Sequence, residues 1–258
     1  MIVSVTPSQF LEQRLTDIPT DIADQIRQQH EKLKDKEKMV LIIEQLMRIA
    51  SVNKWQIMRN EGSFYVYVGT HWQKVSDDVI VSFICEVAIC MGFNETSVRH
   101  YSFREGLLKQ FQIAGLRFFE MEDRNHIKVN FKNGTLHIMG SGELEFKYHN
   151  PEDGLRYMLN FDYQPGEDAP MFKEYLNRVL PNQCKQLPLA EFIGYAFSDL
   201  KLEKCLVLYG TGANGKSVFF DLVIALLGNE NISNYSLQSL TDGSGYSRAN
   251  LSGKLINY

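Results

Sequence analysis

Apolar and polar residues change their spacing repeatedly along the chain, and each change marks an element. Thr6-Pro7-Ser8-Gln9 is a capping box with proline at the first helical position, so a short helix opens there. Pro19-Thr20-Asp21 restarts a helix through about Lys34. His30–Lys38 is a mixed-sign charge run, read as a solvated helix face or linker. From Met39 to about Val52 the spacing is helical again, with Val40, Ile43, Leu46, Met47 and Ala50 near one face. After Gly62 the texture turns aromatic and β-branched. Ser63–Val68 and His71–Val75 read as strands joined at Gly69-Thr70. Asp77 can cap a helix running to about Cys90 and ended by Gly92, and a further helix covers Ser102–Ala114.

Alternation returns in the middle of the chain. Ile127–Phe131, Asn133-Gly134 and Thr135–Met139 predict a hairpin, followed by a strand over Glu143–Tyr148. A loop at Pro165–Pro170 leads to helices over Met171–Leu180 and Leu189–Phe197. Cys205–Tyr209 is then a continuous apolar run, as expected of a strand buried on both faces. Val218–Leu227 is apolar all round, with Gly228 as its C-terminal cap.

Composition narrows the class. The chain has 258 residues, 44% hydrophobic and 22% charged, enough for one large or two modest globular domains. No stretch approaches the roughly 20 apolar residues of a membrane span. Met1–Pro7 lacks the pattern of a signal peptide, so a cytoplasmic protein away from the membrane is expected. Cys85, Cys90, Cys184 and Cys205 make no zinc pattern, and Cys85 and Cys90 read as buried free thiols. The formal net charge of −4 argues against a chain coated with basic residues, while leaving room for a local basic groove.

Between the apolar run and the last long helix lies the chemistry. Gly210-Thr211-Gly212-Ala213-Asn214-Gly215-Lys216-Ser217 fits G-x-x-x-x-G-K-[ST] at every fixed position. Its glycines allow a tight loop whose N–H groups face phosphate oxygens, and the following helix adds its N-terminal partial charge. Lys216 is expected to reach the β- and γ-phosphates of ATP, and the Ser217 hydroxyl to ligate Mg²⁺. A chance match in a chain of this length is roughly a one-in-a-hundred event by average composition.

Other candidates weigh less. Glu120, Glu122 and Asp123 form an acidic cluster, read as a solvated loop because no partner carboxylates accompany it. Tyr65, Tyr67, His71 and Trp72 could stack bases, but packing of a two-stranded sheet against helices is the favoured reading. Lys128, Lys132 and Lys147 could meet a phosphate backbone, and surface solubility is their default reading.

The run Val207–Ser217, with Asn214 just before Gly215-Lys216-Ser217, resembles the P-loop of superfamily 3 helicases in the phage, plasmid and poxvirus primase–helicases. Upstream, Tyr67–Trp72, Val129–Leu136 and Phe161–Pro165 look like blocks of the associated N-terminal domain, and Glu191–Tyr195 and Leu251–Leu255 follow in order. The resemblance implies an α+β helicase-associated domain followed by the start of an AAA+-like parallel α/β ATPase domain. It implies ATP and Mg²⁺ as cofactors, DNA as partner, and a ring, usually a hexamer, with ATP between subunits. Gly210 to Ser217 are the residues it carries over. Leu255–Tyr258 would enter the next ATPase strand, so the sequence reads as the front portion of a longer ATPase, with hydrolysis by this portion alone in doubt. The expected segments are 1–59 (helical), 60–165 (associated α+β domain), 166–204 (helical connector) and 205–258 (opening of the ATPase domain). Two rivals stand beside the helicase: a P-loop small-molecule kinase or nucleotide-regulated switch, and a non-catalytic DNA-binding or assembly module.

Overall fold

The computed structural model describes residues 5–24, 26, 33–60, 62–114, 126–198, 200, 203–212, 214–243 and 245–258. The chain divides into two compact units, Met1–Glu120 and Met121–Tyr258, each with its own apolar core.

In the first unit, helix α1 (Pro7–Arg14) starts as its capping box dictates. The Thr6 hydroxyl accepts the Gln9 N–H at 3.3 Å, and Gln9 Oε1 accepts the Thr6 N–H at 3.0 Å. Of the segment expected to be helical through Lys34, residues 22–24 and 26 are helical and 25 and 27–32 lie outside the described residues. Helix α2 (Asp35–Val52) opens with Asp35 and Glu37 in its first turn, and the Glu37 carboxylate accepts the Lys34 N–H at 2.8 Å. It buries Ile42, Ile43, Leu46 and Ile49, while Val40 is exposed. The buried stripe shares Ile43 and Leu46 with the expected face of Val40, Ile43, Leu46, Met47 and Ala50, and is rotated toward Ile42 and Ile49. Apolar residues stand at helical spacing on both flanks, and contact with Phe64 and Val66 in the same core decides between them.

A three-stranded antiparallel sheet follows, β1 (Ile57–Asn60), β2 (Ser63–Tyr67) and β3 (Trp72–Val75), in that order. Strand β1 adds to the expected hairpin; its four residues, ending Arg59-Asn60, carry too little alternation to announce it. Alternation in β2 splits its side chains. Phe64 and Val66 join the main core, and Tyr65 and Tyr67 form a separate buried cluster with Met58 and Trp72. Helix α3 (Asp77–Cys90) is the most buried helix of this unit. Ser76 is its N-cap, while Asp77 and Asp78 sit in the first turn, where a carboxylate favours the helix dipole. Cys85 is buried and Cys90 exposed, which corrects half of the thiol expectation: five residues further along the helix the side chain faces away from the core. Helices α4 (Glu95–Arg99) and α5 (Tyr101–Ala114) complete the unit, α5 burying Phe103, Leu107 and Phe111.

The second unit opens with an antiparallel sheet, β4 (His126–Phe131), β5 (Gly134–Met139) and β6 (Leu144–Lys147). Phe131 pairs with Gly134, so the turn is Lys132-Asn133, one residue earlier than Asn133-Gly134 suggested. Gly134 is required by close approach, since a Cβ there would stand 2.5 Å from the Lys147 carbonyl oxygen. One face of the sheet carries Val129, Phe131 and Leu136 into the core. The other carries Lys128, Asn130, Thr135 and His137. Helices α6 (Pro170–Val179), α7 (Gln183–Tyr195, with Pro188 inside) and α8 (Lys216–Leu227) pack against that core through Tyr175, Leu189, Phe219 and Leu227. Short helices α9 (Leu237–Thr241) and α10 (Tyr246–Ala249) link β7 (Ile232–Ser233) to β8 (Ile256–Asn257), which pair in parallel.

The mixture of helices and small sheets is α+β. Cys205–Tyr209 departs from expectation: these residues form no strand among the described residues. Val207 and Tyr209 are exposed, while Leu206 and Leu208 pack on the second core. Without a neighbouring strand its backbone has no ladder to join, and only alternate side chains find apolar cover. The unit boundary at 120/121 also differs from the divisions at 59/60, 165/166 and 204/205. Helices before residue 59 share a core with β2, and segments after 165 share one with β4 and β5.

Candidate functional site

Helix α8 begins on a left-handed residue. Gly215, its N-cap, has φ +84°, a conformation that glycine adopts without steric cost. Its space is filled too: a Cβ there would lie 2.7 Å from Val179 Cγ1 of α6. A Cβ on Gly210 would meet the Asn214 side-chain amide, which would have to turn away and give up its place beside Lys216. The chain turns back at Gly215, and its carbonyl accepts the Phe219 N–H at 3.1 Å, the first bond of α8.

Lys216 folds over this loop. Its Nζ donates to Asn214 Oδ1 at 2.7 Å, Gly210 O at 2.9 Å and Thr211 O at 3.2 Å. All three acceptors are neutral, and no carboxylate pairs with Lys216 among the described residues. The ammonium charge is therefore held in place without being cancelled, next to a helix N-terminus of the same sign. That combination suits an anion. Thr211, Gly212 and Ser217 are exposed beside it, the Ser217 hydroxyl on the first turn of α8. Ala213 lies outside the described residues. A cavity of about 410 Å³ adjoins the loop, lined by Tyr175, Val179, Leu189, Leu208, Asn214 and Lys216 among others.

Two long-range bonds hold the two ends of α8. The Tyr175 hydroxyl donates to the Gly215 carbonyl at 2.6 Å across 40 residues of chain. Asn231, 4% exposed, donates to Leu227 O at 2.7 Å and to Met158 O at 2.9 Å, fastening the far end of α8. Neither belongs to a fixed motif, and only the apolar spacing of α6 hinted that Tyr175 faces inward.

The remaining candidates resolve differently. Tyr65, Tyr67 and Trp72 are buried, so packing holds over base stacking. They pack on the sheet face opposite Phe64 and Val66. His71 bonds locally to Thr70 and Gln73. The cluster Glu120, Glu122 and Asp123 lies outside the described residues. Lys132 and Lys147 are exposed as expected. Lys128 is not: its side chain is 9% exposed and pairs at 3.0 Å with Asp153, itself 8% exposed. Buried charges need such a partner, and this one stands on a 3₁₀ turn (Pro151–Asp153) that local sequence does not link to β4. Beside it His137 Nδ1 lies 2.9 Å from His126 Nε2, and His137 Nε2 lies 3.7 Å from Asp153 Oδ2. Burial pushes the His137 imidazole below its ordinary value, against the pull of Asp153. Among the described residues no group of His, Cys, Asp and Glu could hold a metal ion. No helix among them is long and apolar enough to cross a membrane.

Residues 42–181, just over half of the chain, match the family model described as D5 N terminal like. The chain belongs to that family. D5 N-terminal-like segments form the N-terminal region of phage and viral D5-type primase–helicases, which places this chain among replication proteins. A search of curated proteins finds no match. The D5 match starts inside α2 and ends just past α6. It takes in Tyr67–Trp72, Val129–Leu136 and Phe161–Pro165, and leaves Glu191–Tyr195, the loop at 210–217 and Leu251–Leu255 outside.

The D5 blocks of the second unit hold one another. Asn133 Nδ2 donates to Tyr163 O at 3.1 Å and Asn133 Oδ1 accepts the Tyr163 N–H at 2.9 Å. Lys132 N–H donates to Phe161 O at 3.0 Å, and the Tyr163 ring stacks on Phe146. These residues are thereby tied to one another as framework.

Proposed function

We propose that the chain is the nucleotide-binding front portion of an ATP-dependent DNA helicase of the primase–helicase type, serving replication of a phage, plasmid or other mobile element. The observation that carries this is the glycine loop closed at the N-terminus of α8, with Gly215 left-handed and the Lys216 ammonium held by neutral oxygens only. On this reading the loop amides of Gly210–Ser217 receive the phosphate oxygens of ATP. Lys216 leaves its loop acceptors for the β- and γ-phosphates, and Ser217 ligates the accompanying Mg²⁺. Membership among D5-type proteins supports DNA as partner and oligomerisation in general. A hexameric ring with ATP between subunits is the specific form proposed.

The test is ATP binding by this chain, and turnover with and without single-stranded DNA by a version extended well past Tyr258, with Lys216→Ala as control in both. Turnover stimulated by DNA and lost in Lys216→Ala is the expected result for a motor. Turnover indifferent to DNA would favour a small-molecule kinase or nucleotide switch. DNA binding or oligomers without any ATP binding would favour an assembly module and remove the nucleotide role.

A further inference from the structure

We infer that Tyr175 is a positioning residue for the phosphate loop: helix α6 holds the loop in its binding shape through the Tyr175 hydroxyl and the Val179 side chain. This rests on the reading that residues 210–217 bind a nucleoside triphosphate. Three observations converge on one peptide. The Tyr175 hydroxyl donates to the Gly215 carbonyl at 2.6 Å. Val179, one turn along the same helix, fills the space where a Gly215 side chain would stand, at 2.7 Å. The same carbonyl accepts the Phe219 N–H, so Tyr175 supplies a second donor to the oxygen that starts α8.

The geometry explains what this does. A peptide unit is planar, so fixing the Gly215 carbonyl fixes the N–H of Lys216 on its other side. That N–H is one of the free donors at the helix start, available to an anion only if the peptide keeps this orientation. Gly215 has no Cβ to narrow its φ, and the Phe219 N–H bond to its carbonyl is a single restraint that can fray at a helix start, so a second one adds to the fixing of the peptide. Tyr175 supplies it from α6. A phenol is protonated at neutral pH and able to donate, and burial pushes the Tyr175 phenol further in that direction. The positioning helix also lies inside the segment that matches the D5 family model, while the loop lies beyond it. A segment framed by D5 residues thus sets the loop's shape.

The experiment pairs two readouts on Tyr175→Phe, which keeps the ring and its contact with Phe172 and removes only the hydroxyl. The first is binding of a fluorescent ATP analogue. A roughly tenfold weaker Kd is expected, the size of one neutral hydrogen bond that orders a site. The second is amide hydrogen exchange without nucleotide. Exchange at residues 214–219 should quicken roughly tenfold while residues 222–227 of the same helix and strand β4 stay unchanged. Unchanged exchange at 214–219 would overturn the inference, as would quickening spread over residues 126–258, which marks general loosening. If the wild-type chain binds no nucleotide, the triphosphate reading fails on its own, and local exchange still decides whether Tyr175 holds the loop. Wild-type binding left unweakened by Tyr175→Phe would overturn the positioning role even with altered exchange.

Discussion

In the first unit Ile42, Leu46, Phe64, Val66, Ile80, Ile84 and Leu107 are all fully shielded from solvent, and all are apolar. In the second unit full shielding falls to Leu227 and Asn130, an aliphatic and an amide. Lys128, Asp153 and His137 are nearly as buried, while Val207, Tyr209 and Val218 stand out in solvent. The two units are similar in length, so size does not explain the contrast. The first is held by burial, which is non-directional and tolerant of apolar exchange. The second is held in large part by directed bonds: Asn130 to Tyr157, Asn133 to Tyr163, Asn231 to Met158, Tyr175 to Gly215. Directed bonds fix individual peptides in place, which the proposed phosphate loop would need and a packed scaffold does not.

The sharpest test of this contrast is Lys216→Ala. We expect the Kd for an ATP analogue to rise about 100-fold, the loss of one charge-assisted contact set, with the melting of the first unit unmoved. Both tryptophans of the chain, Trp55 and Trp72, are buried in the first unit, so tryptophan fluorescence follows that unit alone. Leu46→Ala should cost about 3 kcal/mol in denaturant titrations followed by that signal, as expected for a fully buried leucine. A loss under about 1 kcal/mol would mean that the first core collapses into the gap and that burial of Leu46 does not hold this unit.

Asn133→Ala should cost the second unit about 1–2 kcal/mol, because it leaves both backbone groups of Tyr163 without their amide partner. Protection of β4 and β5 amides in hydrogen exchange is the measurement. A smaller effect is expected from acid. The folded His137 is held below its ordinary value of 6.5, so the unfolded chain takes up a proton first. Its contribution is complete above about pH 6.5 and is lost as pH falls from there toward the folded value. His137→Gln should flatten that slope in urea melts of the second unit. Smallest of all is Arg99→Ala. Its bridges to Glu95 at 3.0 Å and Glu86 at 3.4 Å are solvent-exposed, and the change should stay within about 0.5 kcal/mol.

The same contrast governs what could be read from the sequence. Helices α1, α3, α5 and α8 and the hairpins were legible because their signals are local: a capping box, an apolar period, a turn between alternating runs. The left-handed turn at Gly215 and the start of α8 at Lys216 fall where the G-x-x-x-x-G-K-[ST] spacing puts them, and the nucleotide role of that loop stays with the proposal. Lys128 was misjudged because its partner Asp153 lies on a later turn, and a lone lysine on a strand ordinarily faces water. Cys205–Tyr209 was misjudged because a run of apolar residues does not say whether a second strand stands beside it. For Tyr175 the apolar spacing of α6 was the only sign, and a tyrosine on an amphipathic helix is compatible with plain packing. Directed, long-range bonds leave no local trace, and the second unit relies on them.

The Asn133–Tyr163 pair carries one more consequence, for the ageing of the molecule. Asn-Gly is the dipeptide most prone to lose its side-chain amide, by attack of the following backbone nitrogen on the asparagine carbonyl carbon. Here both atoms of that amide are engaged with Tyr163, and Gly134 is paired in β5, so the folded hairpin holds the reacting groups still. Unfolded chains have no such guard. Deamidated at Asn133, they would carry an aspartate whose oxygen faces the Tyr163 carbonyl where an N–H once donated. Each excursion from the fold would thus open Asn133 to a covalent change at the turn between β4 and β5, where time spent unfolded would be recorded.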